Sequence, residues 1–186
     1  MTDTCDILIS GGGIAGLTAA AAFGTAGFKV ICVDPTPPVT DGAAQGADLR
    51  STAMLQPARV LLERAGLWDT LAPFAAPLQV MRIIDAGGAE AEPRVTREFD
   101  ASEISDAPFG WNFPNWLLRR EILARLAQLE NVDFRAGIST TQLFTRTNTA
   151  KVTLSDGTRV QTQLVIAADG RTSPMRAASG IGIHTQ

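Results

Sequence analysis

Histidine is almost absent from this sequence, which contains His184 near its end and no other. Catalytic triads, histidine acid-base pairs and histidine metal sites all need an imidazole placed among partner side chains. We therefore predict neither a catalytic side chain nor a metal ligand set.

Basic runs, long apolar runs and paired cysteines are also lacking. The formal net charge of -3 and the absence of any Lys/Arg run argue against nucleic acid as a partner. No apolar stretch reaches the roughly 20 residues of a membrane span, and no basic leader is present, so we expect a cytoplasmic protein. A lipid substrate could still bring it to the surface of the inner membrane. Cys5 and Cys32 lie in apolar runs and are predicted to be small buried hydrophobes.

What is present is enough apolar sequence for one globular domain, 1–186, with 45% hydrophobic and 19% charged residues. The chain starts with a pattern typical of a βαβ unit. Cys5–Ser10 is an apolar run closed by glycines, Ile14–Ala26 is an alanine-rich helix, and Lys29–Val33 is a second apolar strand. The small helical residues allow the helix to lie close to the sheet.

The remainder of the chain predicts further elements in an α/β order. They are a loop at Pro35–Ala47, a helix at Met54–Ala65, strands at Gln79–Ile84 and Arg94–Phe99, a helix at Trp116–Leu129 with Asn115 as N-cap, a parallel strand at Val132–Arg135, an antiparallel meander at Ser139–Gln163 with Asp156-Gly157 as a turn, and a fourth buried strand at Leu164–Ala168. This order predicts a Rossmann-like parallel sheet covered on one face by an antiparallel layer. The two strands around Gly87-Gly88 are predicted to belong to a substrate-side sheet.

Three glycines follow the first strand and open the first helix: Gly11, Gly13 and Gly16. This spacing provides a tight turn, close approach of the backbone to a pyrophosphate, and close packing of helix on strand. The amides of Ile14 and Ala15 would face an anion at the positive end of the helix. The alternative is an ordinary glycine turn without a ligand.

Asp34 stands at the end of the second strand, 18 residues after Gly16. A carboxylate there can accept the hydroxyl groups of an adenosine ribose. The wider pattern Ile9–Asp34 resembles the N-terminal fingerprint of the FAD-dependent family, most of whose members have glutamate at this position. By itself the pattern leaves NAD and FAD both open.

A second motif runs from Ala168 to Arg176 and resembles the aspartate-glycine motif of flavoprotein monooxygenases of the aromatic-hydroxylase type. In that family this strand end approaches the FAD pyrophosphate and is also linked to the nicotinamide cofactor. The resemblance implies that Asp169 organises the turn, Gly170 permits close approach, and Arg176 anchors the next helix or the pyrophosphate region. The two motifs together favour FAD.

Two arginine-bearing segments resemble the same family, and its ubiquinone-biosynthesis hydroxylases in particular. In Asp48–Ala53 the resemblance implies that Arg50 reaches the flavin, against the alternative of a surface arginine that caps a helix. In Leu118–Leu123 it implies that Arg119, rather than Arg120, touches the FAD diphosphate, against the alternative of a solvated charged face.

Trp111, Phe113 and Trp116 form an aromatic cluster with two interpretations. They could line a pocket for a planar ring, or they could pack in the core against the next helix. We favour core packing.

The resemblance implies a Rossmann-like FAD-binding fold of the glutathione-reductase type. It also implies FAD reduced by NADPH or NADH, and transfer of one oxygen atom of dioxygen to an electron-rich aromatic ring while the other leaves as water. The implied substrate is a small aromatic or quinone-precursor compound, with peripheral membrane or multi-enzyme association as further options.

Family members are about twice as long and carry a later Gly-Asp motif that this sequence lacks. We therefore expect a sheet with an unpaired edge beside Leu164–Ala168, weak FAD binding and no hydroxylation by the chain alone. Another chain could supply the missing half. Two other readings stay open: an FAD-dependent oxidase or reductase related to geranylgeranyl reductases, and a non-catalytic binding or assembly module.

Overall fold

The computed structural model describes residues 2–88 and 92–184, whose strands and helices are numbered in chain order. The strands are β1 (Thr2–Thr4), β2 (Ile7–Ser10), β3 (Val30–Asp34), β4 (Ser51–Leu55), β5 (Ala76–Leu78), β6 (Val80–Asp85), β7 (Val95–Asp100), β8 (Gly110–Pro114), β9 (Val132–Ala136), β10 (Thr140–Thr145), β11 (Ala150–Leu154), β12 (Arg159–Thr162) and β13 (Leu164–Ala167). The α-helices are α1 (Ile14–Thr25), α2 (Gln56–Arg64), α3 (Trp68–Leu71), α4 (Asn115–Leu126) and α5 (Pro174–Ala178).

Four strands form a parallel sheet in the order β13-β2-β3-β9, with Ile9 paired to Cys32 on one side and Ile166 on the other. All of β2 is buried, which explains its continuous apolar sequence. The predicted parallel sheet is confirmed. The predicted burial of its fourth strand is wrong, because β13 lies at the edge and leaves Leu164 about half exposed. Among the described residues this edge has no partner strand.

One face of the sheet is covered by α1 and α4. Helix α1 lies so close to β9 that a Cβ added at Gly24 would stand 2.2 Å from Cγ2 of Val132. Ala20 and Ala21 are fully buried in the same layer. The predicted need for small residues in this helix is confirmed.

The other face carries the meander, a sheet in the order β1-β12-β11-β10. Its strands β10, β11 and β12 are antiparallel, and Gly157 has the positive φ of +85° that the tight turn before β12 requires. Val152, Leu154 and Val160 are buried against the parallel sheet and form a second core with residues such as Leu8. The predicted antiparallel layer is therefore confirmed.

Two smaller antiparallel sheets, β4-β8-β5 and β6-β7, occupy the middle of the chain. The predicted second helix begins later than expected, at Gln56, because Met54 lies in β4 and pairs with Trp111 of β8. The predicted strands around Gly87 are confirmed as the β6-β7 hairpin. Every residue of β6 is exposed, and a substrate-side role for this hairpin stays a prediction.

The predicted N-cap of α4 is wrong. Pro114 is the N-cap residue and Asn115 is already helical, while its side chain bonds to Asp48 and Thr52 instead of capping the helix. The adjacent aromatic cluster packs in the core as favoured: Phe113 has no exposed surface, and both tryptophans beside it pack against the helical core.

Cys5 and Cys32 are both buried and unpaired, as expected. Burial raises the pKa of the Cys32 thiol to about 12, so it stays neutral. No helix within residues 2–88 and 92–184 combines the length and the apolar character needed to cross a membrane.

Candidate functional site

The two sequence motifs meet where β2 and β13 end. Gly11 has a φ of +110°, and a Cβ added there would lie 2.2 Å from the carbonyl oxygen of Ala168 and 2.8 Å from the amide nitrogen of Asp169. Only glycine allows this backbone crossing. The glycine motif and the aspartate-glycine motif, far apart in the chain, are therefore in direct contact.

The three glycines of the first motif differ in the reason why glycine is needed at each position. A Cβ at Gly16 would stand 1.9 Å from the carbonyl oxygen of Gly11, so helix packing excludes any side chain there. A Cβ at Gly13 would meet no described atom within 4 Å, and its φ of -69° is ordinary. Packing within the described chain therefore does not explain Gly13, whereas close approach of a ligand would.

The N-terminus of α1 faces this open space. Gly13 is the N-cap residue without a side-chain cap, and the first helical hydrogen bond runs from the amide of Leu17 to the carbonyl oxygen of Gly13. The amides of Ile14, Ala15 and Gly16 precede it and have no acceptor within the helix. Together with the helix dipole they favour a bound anion.

Asp34 ends β3 beside the glycine loop. Its Oδ2 accepts a 2.6 Å hydrogen bond from the amide of Gly12, and its Oδ1 accepts one of 2.7 Å from the amide of Thr36. A Cβ at Gly12 would lie 2.8 Å from Cβ of Asp34 and 2.9 Å from Cε2 of Phe134. Gly12 is thus a site residue that was not predicted, and the run of three glycines, Gly11 to Gly13, is the signal for it.

Asp169 organises the turn before α5, as the resemblance implies. Its Oδ1 accepts a hydrogen bond from the hydroxyl of Ser173, and its Oδ2 accepts one of 2.9 Å from the amide of Met175. Gly170, with a φ of +88° and open space around its Cβ position, completes the turn. Arg176 bonds to the carbonyl oxygen of Arg171, at 3.3 Å, and so braces the same turn.

Arg50 and Arg119 meet at the carboxylate of Asp48. Nε and Nη2 of Arg50 donate to its two oxygens at 2.8 and 2.9 Å, and Nη2 of Arg119 lies 3.5 Å from Oδ2. The hydrogen bonds from Arg50, and next that from Asn115, hold the pKa of the Asp48 carboxyl well below its usual range. Asp48 lies in the arginine-bearing segment Asp48–Ala53 but is not among the predicted site residues, because only the fold brings Arg119 and Asn115 to it.

Two clefts open beside the glycine loop. The first, here called the aspartate-glycine cleft, has a volume of about 400 Å³ and is lined by Ser10, Gly11, Gly13, Val33, Asp34, Pro35, Ser139, Thr140, Ala168, Asp169, Gly170, Thr172 and Pro174. The second, the arginine cleft, has a volume of about 340 Å³ and is lined by Gly12, Gly13, Asp34, Thr36, Pro37, Pro38, Val39, Gly46, Asp48, Arg50 and Arg119. Gly13 and Asp34 line both.

The predicted site residues therefore come together. Seven of them line one cleft or both, and the other three, Ile14, Ala15 and Gly16, form the first turn of α1 behind the loop. Clefts of comparable volume lie at the opposite end of the parallel strands, beside Arg135, and on the meander beside Phe144. Neither of these clefts is lined by a predicted site residue. The candidate site is therefore distinguished by the chemistry of its lining residues and not by its volume.

Comparison with known proteins finds similarity over nearly the whole chain. Residues 4–186 match the family described as FAD binding domain. The chain is 37% identical over 180 residues to ubiquinone hydroxylase UbiL of Rhodospirillum rubrum, covering 97% of this chain and 40% of that protein. It is 28% identical over 181 residues to 3-demethoxyubiquinol 3-hydroxylase of Escherichia coli K12, covering 96% of this chain and 44% of that protein.

Solved structures show the same fold. The p-nitrophenol 4-monooxygenase PnpA of Pseudomonas putida matches with a TM-score of 0.75 at 20% identity, over 96% of this chain and 44% of that one. The flavin-dependent monooxygenase PieE, solved with FAD and substrate, matches with a TM-score of 0.73 at 22% identity, over 95% and 32%. The chain thus spans about two fifths of the length of the curated relatives quoted above.

Proposed function

The chain belongs to the FAD binding domain family, and on that premise we propose that it holds the adenosine diphosphate part of FAD in a flavin-dependent monooxygenase that hydroxylates an aromatic ring. A ubiquinone precursor is the proposed substrate class, because the curated relatives quoted above act in that chemistry by name. NADPH or NADH is the proposed reductant. The proposed place of action is the cytoplasm, with peripheral contact to the inner membrane for a lipid-soluble substrate.

The observation that carries the proposal is Gly13, which lines both clefts and whose Cβ position is open. Gly11 and Gly16 are demanded by backbone contacts, but a Cβ at Gly13 would project into open space at the N-terminus of α1. A ligand that contacts the backbone there accounts for the glycine. A diphosphate fits the site, since uncommitted helical amides and two arginines converge on it.

The remaining residues fit the rest of the group. The carboxylate of Asp34 would accept the ribose hydroxyls, while its bonds to the amides of Gly12 and Thr36 hold it in place. The braced turn at Asp169 and Gly170 would form the opposite wall. Arg50 and Arg119 would lie along the diphosphate in the arginine cleft.

The chemistry itself would belong to the cofactor. When bound, FAD would supply the redox chemistry: the nicotinamide cofactor reduces the flavin, and an oxygen atom of dioxygen is then transferred to the substrate. The residues described above bind and orient its nucleotide half. The exposed β6-β7 hairpin is the proposed part of the substrate side, because it extends outside both cores.

The test is retention of FAD by the purified chain at equilibrium, measured by titration and read from flavin absorbance and fluorescence, so that weak binding is also detected. We expect Gly13→Val to weaken retention by at least about tenfold, because the added side chain would occupy the space next to the helical amides. Gly182→Val is the matched control, since its Cβ position is also open and it lines neither cleft. Equal retention by Gly13→Val and the control would refute the proposed site.

Within residues 2–88 and 92–184 no strand pairs with the outer edge of β13, and this supports a second candidate, an assembly module in which a partner adds a strand beside Leu164. Purification with a second chain and without flavin would favour it. Product analysis in the complete system would separate a monooxygenase from an oxidase or reductase, because only the first incorporates oxygen from dioxygen.

A further inference from the structure

Asp48 is an unexpected residue to find in an anion site. It lines the arginine cleft with Arg50 and Arg119, and its carboxylate would repel a diphosphate placed there. Its pKa is held below the usual range, chiefly by the hydrogen bonds from Arg50, so it stays charged at neutral pH. A negative charge at this position needs a role that offsets the repulsion.

The geometry shows what the carboxylate does. Oδ1 accepts from Nε of Arg50 at 2.8 Å, and Oδ2 accepts from Nη2 of Arg50 and from Nδ2 of Asn115, each at 2.9 Å. Nη2 of Arg119 is 3.5 Å from the same Oδ2. The two arginines come from a loop and from α4, and without a carboxylate between them their charges would repel each other.

Asp48 is itself held by the fold. Asn115 is buried, and its side-chain oxygen accepts a 2.6 Å hydrogen bond from the hydroxyl of Thr52. Its backbone amide donates a 2.9 Å hydrogen bond to the carbonyl oxygen of Arg50. The chain of contacts therefore runs from β4 and α4 through Asn115 to Asp48. The side chain of Asp48 is only 13% exposed, whereas that of Arg50 is 82% exposed and would be mobile without this anchor.

We propose that Asp48 is a positioning residue. It holds the side chains of Arg50 and Arg119 at the arginine cleft, so that both arginines are already oriented when a diphosphate ligand binds. This inference rests on the proposed function, because it names how that site binds the diphosphate. Both arginines keep donors for a ligand: within the described residues, Nη1 of Arg50 and both Nε and Nη1 of Arg119 donate no hydrogen bond to a carboxylate.

The direction in which the affinity for ADP changes in one variant separates a positioning role from a simple effect of charge. Asp48→Asn makes the cleft more positive, so electrostatics alone predicts tighter binding of ADP. Loss of positioning predicts weaker binding, by about tenfold for one lost charge-assisted arrangement. Asp41→Asn is the matched control, since Asp41 lies in the same loop and its carboxylate accepts only from the amide of Ala43 among the described residues. Calorimetric titration with ADP gives the dissociation constants.

A second binding measurement tests the route through Arg119. In an Arg119→Ala background the effect of Asp48→Asn should shrink, because part of the positioned group is already gone. A full-sized, additive effect in that background would show that Asp48 acts without Arg119 and would overturn the proposal. Matching melting temperatures of the variants would exclude loss of folding as the cause.

The NMR signal of the Arg50 side chain tests whether Asp48 positions this arginine, even without a bound ligand. In nitrogen-proton spectra, Nε–H of Arg50 should exchange slowly with water in the wild type and in Asp41→Asn, and rapidly in Asp48→Asn. An unchanged Arg50 signal in Asp48→Asn, or tighter ADP binding by that variant, would overturn the proposal. If the wild type binds neither ADP nor FAD, the proposed function fails, and the Arg50 signal still shows whether Asp48 positions the arginine.

Discussion

The end of the parallel sheet that carries the candidate site and the β6-β7 hairpin are built in opposite ways. At the site end, Leu8 and Ile9 have no exposed surface, and the loop beyond them is so tight that Gly11 touches the backbone of Ala168. In the hairpin every residue of β6 is exposed, including Ile83 at 53%. One region is defined by its own packing, whereas the other has apolar side chains on its surface.

This contrast indicates where the chain is self-sufficient. Burial and close backbone contacts restrict the glycine loop, so a nucleotide that binds as proposed would meet a formed site. A two-stranded hairpin with exposed faces is marginal unless something packs on it. The site end should therefore respond strongly to substitution, and the hairpin only weakly.

The largest effect is expected at Gly11. In Gly11→Val the side chain would overlap the carbonyl group of Ala168, and a β-branched residue would be forced to a φ of +110°. We expect a loss of more than about 4 kcal/mol in the free energy of unfolding, or failure to fold. Urea unfolding followed by circular dichroism measures it.

Gly170→Ala is the control for strain without overlap, since its φ is +88° but its Cβ position is open. It should cost only about 1 to 2 kcal/mol. Similar losses for both variants would show that the contact between the two motifs adds nothing to stability.

How much of this could be predicted from the sequence depends on whether the cause is local. The glycine loop, Asp34 and the turn at Asp169 are predictable because their steric and hydrogen-bonding demands arise within a few residues. The strand at Met54 is not, because it forms by pairing with Trp111, far along the chain. A local helical pattern cannot reveal that partner.

The errors at Asn115 and Leu164 have the same origin. Asn115 looks like an N-cap, but a long-range bond to Asp48 takes its side chain. Leu164 looks buried because its strand is apolar, but strand order, which local sequence does not encode, puts it at the edge. The individual motifs are predictable, while the network that joins Asp48, Arg119 and Asn115 exists only in the fold.

A smaller effect should come from matched truncations of one buried and one exposed side chain. Leu8→Ala removes a fully buried side chain between the parallel sheet and the meander and should cost about 3 kcal/mol. Ile83→Ala in the hairpin should cost less than about 0.5 kcal/mol, as exposed positions do. Urea midpoints at several protein concentrations give both values. A large loss for Ile83→Ala that grows with protein concentration would break the comparison, because the hairpin would then be covered by a second copy.

The smallest effect should come from Asp100, which fixes the end of the hairpin. Its carboxylate accepts hydrogen bonds from the amide of Ser102 at 2.9 Å, from the hydroxyl of Ser102 at 2.7 Å and from the amide group of Gln79 at 3.2 Å, and these lower its pKa. A folded-state pKa below the unfolded value of about 3.9 means that the stabilisation is present above that pH and is lost as the pH falls through the lower folded value.

Asp100→Asn should therefore speed hydrogen exchange at the Ser102 amide at pH 6 and make little difference near pH 2, when corrected for intrinsic rates. Glu98→Gln also removes one negative charge from the hairpin, and it should leave the Ser102 amide unchanged at both pH values because Glu98 pairs with Arg82 instead. An effect of Asp100→Asn that persists undiminished at pH 2 would show that shape, and not the charged carboxylate, fixes this end of the hairpin.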